Sequence, residues 1–343
     1  MKNANVSTGT RHTFGRRGLL AGLGLGTAAS LLAPSVSRAA EGGMPSVIEG
    51  TSHELHPEGI AWDPLRNRFI LGSVRHGKLV SVDRCGTVRP FADDGVMVST
   101  VGVRVDPARQ RVYTPFQDVG VGTRSTPETT GKQSGLGVFD LYTGSLIHRV
   151  DLSAVPGGSD GPHGANDAAH DPFGNAYVTD LAAGEVYRVD RFGRPELLIA
   201  DPDRLGADGA GPNGIVYHPD GYLLVVSYRT GRLWRLDPAA PGLMTEVELE
   251  APAAGSDGMA WTADGGLAVV CNDLDAPGTP SVVVYRSGDG WYSAAAESVR
   301  PWPEESPTTA VTTHWGTYVV EGRLAGLLDG SGRLSDEFTI RRL

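Results

Sequence analysis

The amino-acid sequence predicts an all-β fold, a six-bladed β-propeller with four-stranded blades around a central channel. Three observations carry this expectation. A phrase made of a polar residue, an apolar strand and a polar turn recurs six times from residue 58 onward. The copies are mostly spaced in the forties, about the length of one propeller blade. Gly 47 and Pro 23 make up about a fifth of the 343 residues while aromatics are only 7%. That composition suits many tight turns between short strands better than long helices.

Taken in order, the first element is an address. Residues 1–40 contain Lys2, Arg11, Arg16, Arg17 and Arg38 and no acid, and residues 18–32 form a small, apolar run rich in Gly, Ala and Leu. Arg16-Arg17 just before that run resembles the twin-arginine export motif, and Ser37-Arg38-Ala39 offers a cleavage site. The expected location is therefore periplasmic, cell-envelope or extracellular, with the twin-arginine export machinery as a partner. The run is short for a membrane span, so no stable span is expected after cleavage. Gly22-Leu23-Gly24-Leu25-Gly26 superficially looks like a dinucleotide loop, but basic and polar residues stand where a buried strand would have to precede it.

Residues 41–343 are expected to form a single propeller domain. The repeated phrases begin at Glu58, Val101, Asn166, Asn213, Asp257 and Thr308, in steps of 43, 65, 47, 44 and 51 residues. After each comes a strand-like run, at 68–73, 111–114, 175–179, 222–227, 266–271 and 317–321. A further run often follows, as at 78–83, 185–190 and 232–237. Alternating apolar and polar residues with turn residues between them mark all of these as β. The long second step contains an insertion, about 117–135, rich in Gly, Ser, Thr and Pro. It reads either as a surface excursion or as a lid over the channel mouth.

Composition excludes several function classes. With 40% hydrophobic and 20% charged residues the chain can build a large core. Lys+Arg 30 against Asp+Glu 40 gives a net charge of −10, and without residues 1–40 it becomes −15, so nucleic acid is not an expected partner. Cys85 and Cys271 are too few for a disulfide framework or a Cys-based zinc site.

Symmetry selects the candidate site. The first residue of each phrase occupies an equivalent place at the start of its blade's innermost strand, so the six should ring one mouth of the channel. Glu58, Asn166, Asn213 and Asp257 carry carboxylate or carboxamide oxygens. Two carboxylates converging in a narrow channel repel unless a cation joins them. An all-oxygen set suits one hard divalent ion, Ca²⁺ above all, with Mg²⁺, Mn²⁺ or Zn²⁺ as alternatives. Water held by such an ion becomes acidic enough to attack an electrophilic carbonyl. Singly, each of these residues could equally cap a strand end.

Four motifs also carry a resemblance over roughly residues 50–330. Pro57-Glu58-Gly59 with Trp62, Asn166-Asp167 with Asp171-Pro172, Pro212-Asn213-Gly214 and Ser256-Asp257-Gly258 resemble the gluconolactonase, regucalcin (senescence marker protein) and luciferin-regenerating enzyme family of six-bladed propellers. The resemblance implies that Glu58, Asn213 and Asp257 bind one divalent metal and that Asn166 contacts substrate beside it. It also implies that Asp257 can add general-base work to ligation. Where lactonases acting on sugars commonly carry an Arg two residues before the third-blade Asn, this chain has Gly164.

The expected function is thus a divalent-metal-dependent hydrolase, a lactonase acting on a small cyclic ester, with Asp257 and Asn166 as its catalytic residues. The rivals are a non-catalytic ligand-binding propeller and a non-hydrolytic enzyme similar to strictosidine synthase. His163 could reach the mouth as a proton shuttle and substrate contact, or be a plain loop histidine. His53 and His56 could decorate the metal site or lie on the surface. Asn272-Asp273 reads as a turn that could also face the channel, and Trp302 and Trp315 as packing residues. No Gly-x-Ser-x-Gly surrounds Ser256, so a nucleophile elbow is unsupported.

Overall fold

Short runs of alternating residues between tight turns bury their apolar side chains by pairing into small antiparallel sheets, which must then cover one another's faces. In the computed structural model, which describes residues 43–206 and 210–343, six such sheets form six blades. The signal-peptide reading of residues 1–40 lies outside the described residues.

The inner strands of the first and third to sixth blades are Ile60–Asp63, Ala165–His170, Pro212–Tyr217, Ser256–Trp261 and Pro307–Thr313. In the second blade the inner strand is split into Ser99–Thr100 and Arg104–Asp106. Each inner strand abuts that of the next blade, and the sixth returns to the first, closing the ring. The second strands, Arg68–Gly72, Arg111–Gln117, Ala176–Asp180, Leu223–Ser227, Leu267–Cys271 and Gly316–Glu321, fall where the alternation places them. Two sheets have five strands. The second gains one from its split inner strand, and the fifth from Glu248–Leu249, which pairs in parallel with the outer strand Ser293–Pro301.

Ring closure uses a strand that precedes the first phrase. Val47–Thr51 pairs antiparallel with Glu337–Arg342 and forms the outer edge of the sixth blade, so hydrogen bonds between the two ends of the described chain lock the propeller. Apolar packing follows the same ring. Each of the six blade junctions holds one buried cluster; Trp62, Phe69, Tyr318 and Phe338, for instance, fill the junction of the sixth and first blades. A side chain of this kind contributes about 1.5–3 kcal/mol when fully buried, so no blade is stable without its neighbours.

The insertion, residues 118–133, is packed rather than a loose excursion. Buried Asp118 accepts hydrogen bonds from the Gly120 N–H (2.7 Å) and the Ser125 (2.6 Å), Thr129 (2.7 Å) and Thr130 (3.2 Å) hydroxyls. Arg75 donates to Val121 O at 2.6 Å, and Arg124 donates to both carboxylate oxygens of Asp93, which ties the loop to the first blade.

Candidate functional site

The pairing of inner and second strands slips at the same point in blade after blade. Register shifts fall between Ala165 and Ala168, Pro212 and Ile215, Ser256 and Met259, and Pro307 and Thr309. In the first blade Glu58 stands just before the strand, and in the second Val101 lies in the gap between the two strand pieces. A bulge of this kind frees a residue from the ladder and re-aims its side chain. Glu58, Val101, Asn166, Asn213, Asp257 and Thr308 all line one cavity of about 330 Å³.

The residue after each of these meets the next blade. A Cβ on Gly59 would lie 2.2 Å from Val101 O, and one on Gly214 2.3 Å from Asp257 O. Glycine at these two positions therefore allows the ring to close around so narrow a channel. The third blade carries Asp167 there instead, and its carboxylate meets the Arg104 guanidinium at 2.6 Å in a buried ion pair beneath the cavity.

Four oxygens in the cavity have no partner. Glu58 Oε2, Asn166 Oδ1, Asn213 Oδ1 and Asp257 Oδ1 are buried and accept no hydrogen bond. Unpaired buried acceptors are costly, and four of them around one cavity suit a cation or another electrophile as their common partner. Glu321 Oε2 accepts no hydrogen bond either, yet the Arg323 guanidinium lies 3.1 Å from it, so its charge is answered within the protein.

The electrostatics agree. Burial pushes the Glu58 carboxyl well above the usual range, repulsion from Asp257 and Asp167 adds to it, and Arg104 opposes it. Burial likewise pushes Asp257 up to about 7, against the nearby carboxamides of Asn272 and Asn213 and with repulsion from Asp167. If ionised, the three carboxylates and one guanidinium leave two negative charges, which one divalent cation would match. Among the described residues no group of three or more His, Cys, Asp or Glu side chains gathers as a metal site. A site here would rest on two carboxylates with carboxamide oxygens, and the residues present fit a hard divalent ion bound in that way.

Asp257 is braced from behind. Asn272 Nδ2 donates to Asp257 Oδ2 at 2.7 Å and to Pro307 O at 2.9 Å, while Tyr228 OH donates to Asn272 Oδ1. The sequence read Asn272-Asp273 as a turn that could also face the channel, and the structure places Asn272 directly behind the channel residue Asp257. Tyr228 and its bracing role had no sequence signal, because its partner lies in another blade.

The histidines lie elsewhere. His163 is buried, with Nδ1 3.1 Å from Asp180 Oδ2 and Nε2 2.9 Å from Ser159 O, and it does not line the cavity. Hydrogen bonding to Asp180 raises its pKa above the ordinary value despite burial. Both ring nitrogens serve the loop, which is the plainer of its two readings. His56 is also buried, contrary to a surface place; its nitrogens meet Gly322 O at 3.0 Å and the Ser335 N–H at 3.2 Å. His53 is exposed. Gly164 sits against Gln117, whose Oε1 would lie 2.7 Å from a Cβ there.

Above the polar floor the mouth is apolar. Val74, Val101, Leu324 and Leu327 form a separate cluster with Val121 of the insertion and Leu274 packed against it. Leu324 and Leu327 come from the short helix Leu324–Leu328, which the blade repeat does not announce.

No family model matches the chain, and no curated protein matches it by sequence. Solved structures do match. The Malassezia sympodialis allergen Mala s 1 is similar at 16% identity over 87% of this chain and 96% of its own, with a TM-score of 0.69. A gluconolactonase from Xanthomonas campestris is similar at 16% identity over 85% of this chain and 86% of its own, TM-score 0.56. Virginiamycin B lyase from Staphylococcus aureus is similar at 12% identity over 87% of this chain and 99% of its own, TM-score 0.52. Gluconolactonases thus stand among the structural neighbours, as the sequence resemblance implied, and identities this low carry the fold alone.

Proposed function

We propose that the protein is a divalent-cation-dependent hydrolase that opens cyclic esters at the Glu58 mouth of the channel. The observation that carries this reading is the set of four unpartnered buried oxygens on Glu58, Asn166, Asn213 and Asp257 in one cavity. Glu58, Asn213 and Asp257 would hold the ion, with Ca²⁺ favoured by all-oxygen ligation and Mg²⁺, Mn²⁺ or Zn²⁺ as alternatives. When bound, a divalent cation supplies Lewis acidity toward an ester carbonyl and a nucleophile at neutral pH.

The protein's own groups do the rest. Asn166 presents its carboxamide to the cavity, where the amide N–H can donate to the substrate carbonyl and orient it. Asn272 and Tyr228 hold Asp257 in one orientation, so that its free Oδ1 faces the cavity. Ring opening consumes one water. The acyl C–O bond breaks, the water oxygen joins the acyl carbon, one proton goes to the released ring oxygen and the other to solvent. Residues 1–40 extend the proposal to export through the twin-arginine machinery.

A lyase reaction is the second reading, favoured by the likeness to virginiamycin B lyase at a TM-score close to that of the gluconolactonase. Elemental analysis of the folded protein and of Glu58→Ala tests the site. About one divalent ion per chain, lost in the variant, is the expected result. Turnover of lactones in ¹⁸O-water then separates the chemistries. Hydrolysis places one heavy oxygen in the product carboxylate, and elimination places none. A protein that binds no ion after incubation with calcium, manganese and zinc would end this reading in favour of a binding propeller.

A further inference from the structure

We infer that the mouth is shaped for neutral cyclic esters bearing an extended apolar group, not for polyhydroxylated ones; the inference rests on the lactone-hydrolase reading above. Three features of the cavity wall argue for it.

The wall above the polar floor comes from separate segments that converge with the same chemistry. Val74 and Val101 come from the first two blades, Val119 from the insertion, Leu274 from the loop after the fifth blade's second strand, and Leu324 and Leu328 from the short helix. Val119 is 47% and Leu328 41% exposed, so apolar surface is left in water at the rim, where a ligand's apolar group would cover it.

The hydroxyls that line the cavity are already engaged within the protein. Ser99 Oγ donates to Val74 O at 2.7 Å, Thr308 Oγ to Glu58 O at 2.6 Å, and Tyr228 OH to Asn272 Oδ1. A sugar ring entering this space would trade most of its hydrogen bonds with water for contacts with methyl groups, with Gln117 and Asp275 as the polar side chains left on the wall above the floor. Each unmatched hydroxyl lowers affinity by about tenfold.

The charged residues of the lining are all acidic. They are Glu58, Asp257 and Asp275, and among the described residues no Lys, Arg or His lines the cavity. With a cation on Glu58 and Asp257, Asp275 is the charge left on the wall and no basic side chain there would receive an anionic tail, so the apolar group should be uncharged.

Binding of non-hydrolysable γ-alkyl lactams to the cation-loaded protein, followed by calorimetry over tails of one to eight carbons, tests this without requiring turnover. The expected result is a dissociation constant that falls about fourfold per methylene until the tail passes the rim. Val119→Asn with Leu328→Asn, both at exposed positions, should weaken the longest lactam by about tenfold or more and leave the cation content unchanged. A flat series, or tighter binding of a polyhydroxylated lactam, overturns the inference. A chain-length slope in a protein that hydrolyses no lactone supports the apolar occupant and removes the hydrolase reading, so the two fail separately.

Discussion

At one end of the six inner strands lie Glu58, Asn166, Asn213 and Asp257; toward the other end of the same strands lie Trp62, His170, Tyr217 and Trp261. The second end opens into a larger cavity, about 450 Å³ against about 330 Å³. Its polar atoms are nevertheless almost all satisfied. Trp261 Nε1 donates to Tyr217 O at 2.9 Å, and His170 Nε2 meets Val105 O at 3.3 Å. Among the described residues its only unpartnered buried side-chain atom is Trp62 Nε1, a donor. The pairing there is regular, as in Ala168 opposite Val178 and Ala169 opposite Tyr177, whereas the register slips at the other end. Volume therefore does not identify the reactive mouth. What distinguishes it is the bulge, which takes side chains out of the ladder and leaves their oxygens facing the cavity. The Arg104–Asp167 pair lies between the two ends, with Arg104 also lining the larger cavity.

The largest expected contrast is in activity. Asp257→Ala should remove the ion and lower lactone hydrolysis by at least about 10⁴-fold, given the several kcal/mol a bound cation contributes. Trp261→Ala at the opposite mouth should retain both, and elemental analysis with initial rates would check the pair. If Trp261→Ala were the damaging change, the two ends would have to exchange roles.

The next effect is on stability. Arg104→Leu leaves the Asp167 carboxylate buried without its partner and is expected to cost about 3–5 kcal/mol in urea unfolding. Added divalent cation should recover part of that loss in Arg104→Leu, because it replaces the missing positive charge above Asp167.

A smaller effect concerns pH. In the folded, cation-free protein Asp257 titrates above its unfolded value, so its contribution is fully present below about 4 and is lost as pH rises through about 7. In chelator, the wild type should therefore lose about 3 kcal/mol relative to Asp257→Asn between pH 4 and pH 8, by urea unfolding. A parallel pH dependence of the two proteins would show that burial does not strain this carboxylate.

Gly214→Ala should give the smallest change. Its new Cβ presses on Asp257 O and is expected to cost about 1–2 kcal/mol and weaken ion binding, while Gly288→Ala, with open space around it, should do neither. Thermal unfolding and ion titration of the two variants would measure the difference.

Much of this arrangement was legible in the sequence. Blade number, second-strand positions and the six ring residues follow from repetition, because equivalent residues of a closed ring must converge. The insertion was legible as an interruption of the spacing, though its packing through Asp118 and Arg124 was not. His163 shows the limit of motif proximity: three residues from Asn166, it turns into its own loop to meet Asp180 and Ser159. Arg104 sits within the second phrase and Asp167 within the third, but nothing in either phrase says that they meet.

The periodic alternation by itself determined the β blades, and the repeated polar position determined which residues would ring the channel; both are local patterns copied six times. Only the tertiary structure decided that Val47–Thr51 closes the ring against Glu337–Arg342, that Asn272 and Tyr228 brace Asp257, and that the insertion and the Leu324–Leu328 helix contribute apolar side chains to the mouth. These contacts join segments far apart in the chain. Their energy comes from burial and hydrogen bonding that exist only once the ring is closed, so no local pattern encodes them.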